Sequence, residues 1–259
     1  MSSTLAVQVG AVAQRAMTRT LRQPGVVIPP IVFPLALLAV NAAGLRPSTL
    51  LPGFPTDSFL AFGLAVPFIQ GALFATLNAG ADFARDAQTG FLNRLSLTAL
   101  RGSALLAGQL TGIVVLGLIQ TAAYIAFGLA AGVEIASGVG GVLVIFAFSI
   151  LVSIGFGALG SFLALRTASG EAVQGMFPLF FVFLLISSMN TPRHLIGVDW
   201  FRFVATANPV SYLLECIRSL IITGWDGQAL AAGFGVALAI CAVTLTLASV
   251  ELRRRLTRT

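Results

Sequence analysis

Few residues in this chain are of types that do chemistry. It holds one histidine, His194, and two cysteines, Cys216 and Cys241, whose separation matches no metal or redox motif. A zinc site or a histidine relay has little to work with, and the cysteines read as ordinary apolar side chains. All fifteen basic residues are arginine. Without lysine there is no Walker A loop, whose Gly-Lys pair cradles phosphate, and no Schiff-base chemistry. A membrane-embedded transferase would cluster Asp or His near one interface, and the sequence holds no such cluster.

Two polar stretches remain. One is residues 82–101, with Asp82, Arg85, Asp86, Arg94 and Arg101 set between long apolar runs. The other is residues 191–226. Within it Asn208-Pro209 reads as a helix start, Asn as the cap and Pro at the first helical position, and Gly224 reads as the stop. Leu213, Ile217, Leu220 and Ile221 make an apolar stripe at helical spacing. Glu215 and Arg218 fall on another face, placed for a weak pair. Such a helix is about 22 Å long, too short for a hydrocarbon core of about 30 Å. It must lie at the outer surface or dip in and return. A short preceding helix at 199–205 would make a re-entrant pair, with Trp200, Tyr212 and Trp225 as interfacial anchors. An ordinary amphipathic outer loop is the alternative.

The elements around these stretches are apolar. Of 259 residues, 57% are hydrophobic and only 9% charged, against about a quarter charged in a soluble domain. The apolar runs are twice the length of a barrel strand. The expectation is an all-α integral membrane protein with six transmembrane helices, at residues 26–44, 58–81, 103–131, 138–165, 172–190 and 228–250. Residues 1–23 precede the first. At helical spacing Gln8, Arg15, Thr18, Arg19 and Arg22 fall in one wedge, which suits an interfacial amphipathic helix with its arginines among lipid headgroups. A disordered basic leader is the alternative.

Six spans put both termini on one side. With the termini inside, the inner segments hold Arg15, Arg19, Arg22, Arg85, Arg94, Arg101, Arg166, Arg253, Arg254, Arg255 and Arg258. The outer segments hold only Arg46, Arg193, Arg202 and Arg218. Positive charge collects on the cytoplasmic side, so both termini are expected inside. The net charge of +6 reports orientation, not nucleic-acid binding. None of the six spans contains Asp, Glu, Arg or His, which argues against an ion-coupled carrier. The uncharged interior polar groups, Asn41, Gln70, Asn78, Gln109, Gln120 and Gln174, read first as interhelical hydrogen-bonding glue and second as substrate contacts. Gly108 and Gly112 make a GxxxG step, as do Gly128 and Gly132; the packing partner is open.

The run Asn208-Pro209-Val210-Ser211-Tyr212-Leu213-Leu214-Glu215-Cys216-Ile217-Arg218 resembles a signature of the permease subunits of type-2 ATP-binding-cassette (ABC) exporters, in the daunorubicin-resistance-like branch. So does the pattern Gly90, Asn93, Arg94, Leu95, Thr98, Ala99, although Asn93 stands where the family has Glu and Ala99 where it has Pro. The resemblance covers essentially the whole chain and implies a single permease domain over 1–259. Residues 82–101 would hold the cytoplasmic coupling helix between spans 2 and 3, with Gly90, Phe91, Asn93, Arg94, Leu95 and Thr98 facing the ATPase subunit. Residues 191–226 would form short re-entrant outer helices between spans 5 and 6, with Asn208, Pro209, Tyr212, Glu215 and Arg218 in the second. The resemblance further implies two copies of an ABC ATP-binding subunit, which bind the ATP and Mg, and no cofactor in this chain. A second permease subunit would complete a homodimer or heterodimer in the bacterial inner (plasma) membrane. The implied activity is export of a hydrophobic or amphipathic compound, a drug or antibiotic. Lipid, glycolipid or polysaccharide export is the alternative.

Overall fold

Proline placement decides where the apolar runs bend. The computed structural model describes residues 2–89 and 102–256. After helix α1 (Ser2–Leu21), Pro24 opens the short α2 (Pro24–Val27) and Pro29 opens α3 (Pro29–Gly44), with Pro34 inside it. Pro34 lacks the N–H that would bond the Pro30 carbonyl one turn back. The hydroxyl of buried Tyr124 donates to that carbonyl instead. The next run is also broken, into α4 (Phe59–Gly63) and α5 (Ala65–Gln88). Three long helices are continuous: α6 (Gly102–Ala130), α7 (Gly138–Thr167) and, at the end of the chain, α12 (Gly227–Leu256).

Five helical stretches among the described residues are long and apolar enough to cross a membrane: Pro24–Gly44, Phe59–Asp86, Ala104–Ala130, Gly138–Thr167 and Gly227–Arg255. The fifth expected span differs. Residues 172–190 do not form one helix. Helices α8 (Gly170–Gly175) and α9 (Phe177–Leu185) take up the stretch as far as Leu185, with Pro178 in the first turn of α9. The apolar stretch Gly170–Leu185 is about 24 Å long. The helix ends at Leu185 although the sequence stays largely apolar to Met189, because polar contacts take over. Ser187 Oγ donates to Leu184 O, and Ser188 N donates to Ser211 Oγ at 3.0 Å. Two further helices follow, α10 (Asp199–Ala207) and α11 (Pro209–Arg218), then a wide turn at Ser219–Thr223. The turn's Leu220 and Ile221 carbonyls accept from Ser137 and Ala136, just ahead of α7.

Helix α7 sits at the centre, packed on α5, α6 and α12. Its approach to α5 is backbone to backbone: a Cβ on Gly160 would lie 1.9 Å from the Thr76 carbonyl oxygen. Thr76 Oγ1 donates to Phe156 O across the same crossing, at 3.0 Å. The expected amide glue is mostly absent. Gln109 finds a partner, but the side-chain nitrogens of Gln70, Asn78 and Gln120 are buried without one. Close backbone approach and hydroxyls do that work instead, because an amide side chain is too bulky for so tight a crossing.

Helix α1 lies against α6. Here the Gly108–Gly112 step acquires its partner. A Cβ on Gly108 would fall 2.5 Å from the Val12 side chain, and one on Gly112 would fall 3.2 Å from the Ala16 Cβ. Val12, Ala13, Ala16 and Thr20 are buried there.

Candidate functional site

Polar side chains gather at the two ends of the bundle. Phe62 at one end and Asp86 at the other are 24 residues apart along α4 and α5, or about 36 Å at 1.5 Å per residue.

At the Phe62 end, the helix formed by Asn208–Arg218 holds together segments whose carbonyls have lost their helical donors. A helix end leaves its last carbonyls unpaired, and in a lipid setting each must be satisfied within the protein. Asn208 Oδ1 caps α11 by accepting from Val210 N at 2.9 Å, while its amide nitrogen donates to Phe183 O at 2.6 Å, in the last turn of α9. One turn on, Ser211 accepts from Ser188 N. Tyr212 donates to Thr206 O at 2.9 Å, and its ring lies 4.5 Å from the Arg193 guanidinium. Glu215 takes a two-point pair from Arg193. Burial alone would lower the Arg193 pKa, but the hydrogen bonds and charge of Glu215 outweigh it and hold the pKa above the ordinary range.

Arg218 is almost wholly buried. Its Nε donates to Phe62 O (3.0 Å), Nη1 to Ser188 O (2.6 Å) and Nη2 to Met189 O (2.5 Å). The guanidinium also lies 3.6 Å above the Phe62 ring. Phe62 precedes the break between α4 and α5, and Ser188 and Met189 follow the early end of α9, so one side chain closes two interruptions. The weak Glu215–Arg218 pair expected from spacing is not formed. Glu215 pairs with Arg193 because Arg218 turns inward to three carbonyls. Beside these residues a cleft of about 410 Å³ is lined by Phe62, Arg193, Glu215, Arg218, Ile222 and Asp226 among others. His194 contacts Gly53 O through Nε2 at 3.0 Å.

The double duty of Asn208 gives a test. Asn208→Ala removes the cap, worth about 1 kcal/mol, and leaves Phe183 O unpaired. A fall in thermal midpoint of several degrees is expected in detergent. Asn208→Asp keeps the acceptor but loses the donor, so it should fall at least as far; an aspartate variant as stable as the parent would show the bond to Phe183 to be idle.

At the other end, Asp82 and Asp86 stand one turn apart on α5, facing Arg15 and Arg19, one turn apart on α1. Arg19 reaches Asp82 at 2.7 Å and Asp86 at 3.8 Å, Arg15 reaches Asp86 at 3.2 Å, and Gln109 Nε2 donates to Asp86 at 2.5 Å. Asp86 is 2% exposed. The arginine wedge of α1 is therefore turned, at Arg15 and Arg19, towards protein as well as outwards, which corrects the expectation of headgroup contact alone. Each i,i+4 pair of like charge was legible in the sequence; their pairing across 70 residues was not. The same end gathers Phe83, Leu105, Leu165, Val173 and Leu252 into one apolar cluster with Val12, so the first and last helices contribute to one core there. Gly90, Phe91, Asn93, Arg94, Leu95 and Thr98, the residues assigned to ATPase coupling, lie outside the described residues. Thr89 and Gly102 flank them.

The described residues form an all-helical bundle in which five helical stretches are long and apolar enough to cross a membrane. The chain matches the family model of the ABC-2 type transporter over residues 7–222, and it belongs to that family. Among curated proteins it is similar to the daunorubicin resistance ABC transporter permease protein DrrB1 of Streptomyces coeruleorubidus. The two are 26% identical over 234 residues, covering 86% of this chain and 77% of the relative. The chain is thus a multi-pass integral membrane protein of the ABC transporter permease class.

Proposed function

We propose that this chain is the transmembrane subunit of an ATP-driven exporter that moves a hydrophobic or amphipathic compound out of the cell. ATP is hydrolysed by two copies of a separate ABC ATP-binding subunit, and a second permease, identical or related, completes the pathway. The observation that carries this reading is the family match, which spans residues 82–101 in a chain without a single lysine. A Walker A loop needs a lysine, and this supports entry of the work from a partner subunit. The similarity to a daunorubicin resistance permease favours a drug or antibiotic as cargo. The apolar stretch 170–185 completes six spans, the α10–α11 pair dips into the outer face, and the arginine-rich end bearing α1 and the close of α12 is cytoplasmic.

The test is a double substitution, Arg94→Glu with Leu95→Ala, reconstituted with the ATP-binding subunit. The variant is expected to insert normally while transport per ATP hydrolysed falls at least ~10-fold, a loss of about 1.4 kcal/mol of coupling. Unchanged transport and substrate-stimulated hydrolysis would count against residues 90–101 as the point of entry.

A further inference from the structure

Among the described residues, the end of α5 that precedes residues 90–101 joins α1 through a knot of four charges, two of each sign. Asp86 of α5 sits where three helices meet: it takes Arg15 and Arg19 from α1 and Gln109 from α6, while Asp82, one turn back, takes Arg19. Two arginines and two aspartates balance, which is why Asp86 tolerates burial; a buried charge persists when paired and hydrogen-bonded. The second attachment is apolar and independent of the first. Gly108 of α6 admits Val12 of α1 too closely for any Cβ, and at Gly112 an added Cβ would fit against Ala16 only with a shift of a few tenths of an ångström. So α1 holds both helices that flank residues 90–101, the end of α5 by charge and the start of α6 by packing.

We propose that α1, the end of α5 and the start of α6 move as one rigid lever, with Asp86 as the positioning residue that transmits motion of residues 90–101 into the spans. The idea rests on the coupling role given to those residues above. Without the knot, the two arms of the segment can shift independently of α1. A push on the segment is then absorbed at its root. In the lever, α1 is a strut carried with the segment, not a helix floating free in the headgroups.

Asp86→Asn tests the first attachment. It keeps the shape and an oxygen for Gln109 but removes the charge. With the full transporter reconstituted, the variant should retain the ATP-binding subunit and a near-parental thermal midpoint while transport per ATP falls about 10-fold. An unchanged ratio, or transport and hydrolysis lost in equal proportion, would overturn the role. The charge exchange Arg19→Asp with Asp82→Arg should recover most of what Arg19→Asp alone loses. Failure of the exchange to recover any coupling would also count against a charge-based knot.

The second attachment is tested by a cross-link. In a background of Cys216→Ala and Cys241→Ala, Ala16→Cys with Gly112→Cys places two Cβ positions 3.2 Å apart, a few tenths short of the ~3.5–4.5 Å of a disulfide. Oxidation should leave transport within about two-fold of the reduced protein, because the strut and α6 never part. Transport lost on oxidation and restored by reductant would show that α1 separates from α6, and the rigid lever would be wrong. The controls separate this idea from the broader reading. If Arg94→Glu with Leu95→Ala uncouples but Asp86→Asn does not, the lever alone fails. If neither uncouples, the coupling role of residues 90–101 fails as well.

Discussion

Replacing Arg218 by leucine is expected to leave little folded protein. The side chain makes three charge-assisted bonds to Phe62, Ser188 and Met189 carbonyls, each worth about 1.5–3 kcal/mol net. Removing it regains the cost of burying a guanidinium, so the sum is not the loss. What remains uncompensated is three orphaned carbonyls in a packed interior, and a net destabilisation above roughly 3 kcal/mol follows. That is a large part of the ~5–15 kcal/mol that holds a domain together. Arg218→Lys keeps the charge but not the planar fork, and one ammonium is poorly shaped to serve the carbonyls of two separate segments; it should be intermediate. The measurement is the thermal midpoint and the monodisperse fraction in detergent. A leucine variant melting within a few degrees of the parent would mean that the three carbonyls find other donors.

The second large effect is expected at Gly160. A Cβ there would meet not only the Thr76 oxygen at 1.9 Å but also the Thr76 carbonyl carbon at 2.7 Å and its Cα at 3.0 Å. These are backbone atoms of a long helix and cannot rotate aside. Gly160→Val must push α5 and α7 apart until ordinary carbon contacts of about 3.5–4 Å are restored. That separation also strains the Thr76–Phe156 bond. Overpacking alone costs about 1–3 kcal/mol, and the strained bond adds about 1 kcal/mol. Gly235 on α12 is the control, because nothing lies within 4 Å of an added Cβ; Gly235→Ala should change stability by no more than ~1 kcal/mol. Equal melting behaviour of the two variants would show that the α5–α7 crossing tolerates displacement.

Much of the fold was legible because its determinants are local. Long apolar runs of known length mark helices that cross a membrane, and α6, α7 and α12 begin within a residue or so of where the runs begin. Asn208 followed by Pro209 announces a helix start wherever it lands in space, and α11 begins at Pro209. The fifth apolar run is not one continuous helix over 172–190, for an equally physical reason. Its apolar residues permit a longer helix, but Ser187 and Ser188 form a turn instead, whose carbonyls can be exposed inside the bundle only because Arg218 and Asn208 supply donors from 20–30 residues away.

The sequence by itself therefore determined the class of protein, the helical elements and the run of residues at 208–218. Hydropathy, proline and capping residues act without knowledge of neighbours. Only the tertiary structure decided what that run is for: Glu215 chooses Arg193, and Arg218 closes two broken helices. It also decided that Arg15 and Arg19 meet Asp82 and Asp86, and that Gly108 and Gly112 are the seat of α1. Hydrogen bonds and ion pairs are short-ranged, so their partners are set by which helices lie side by side. No spacing along a single chain encodes that choice.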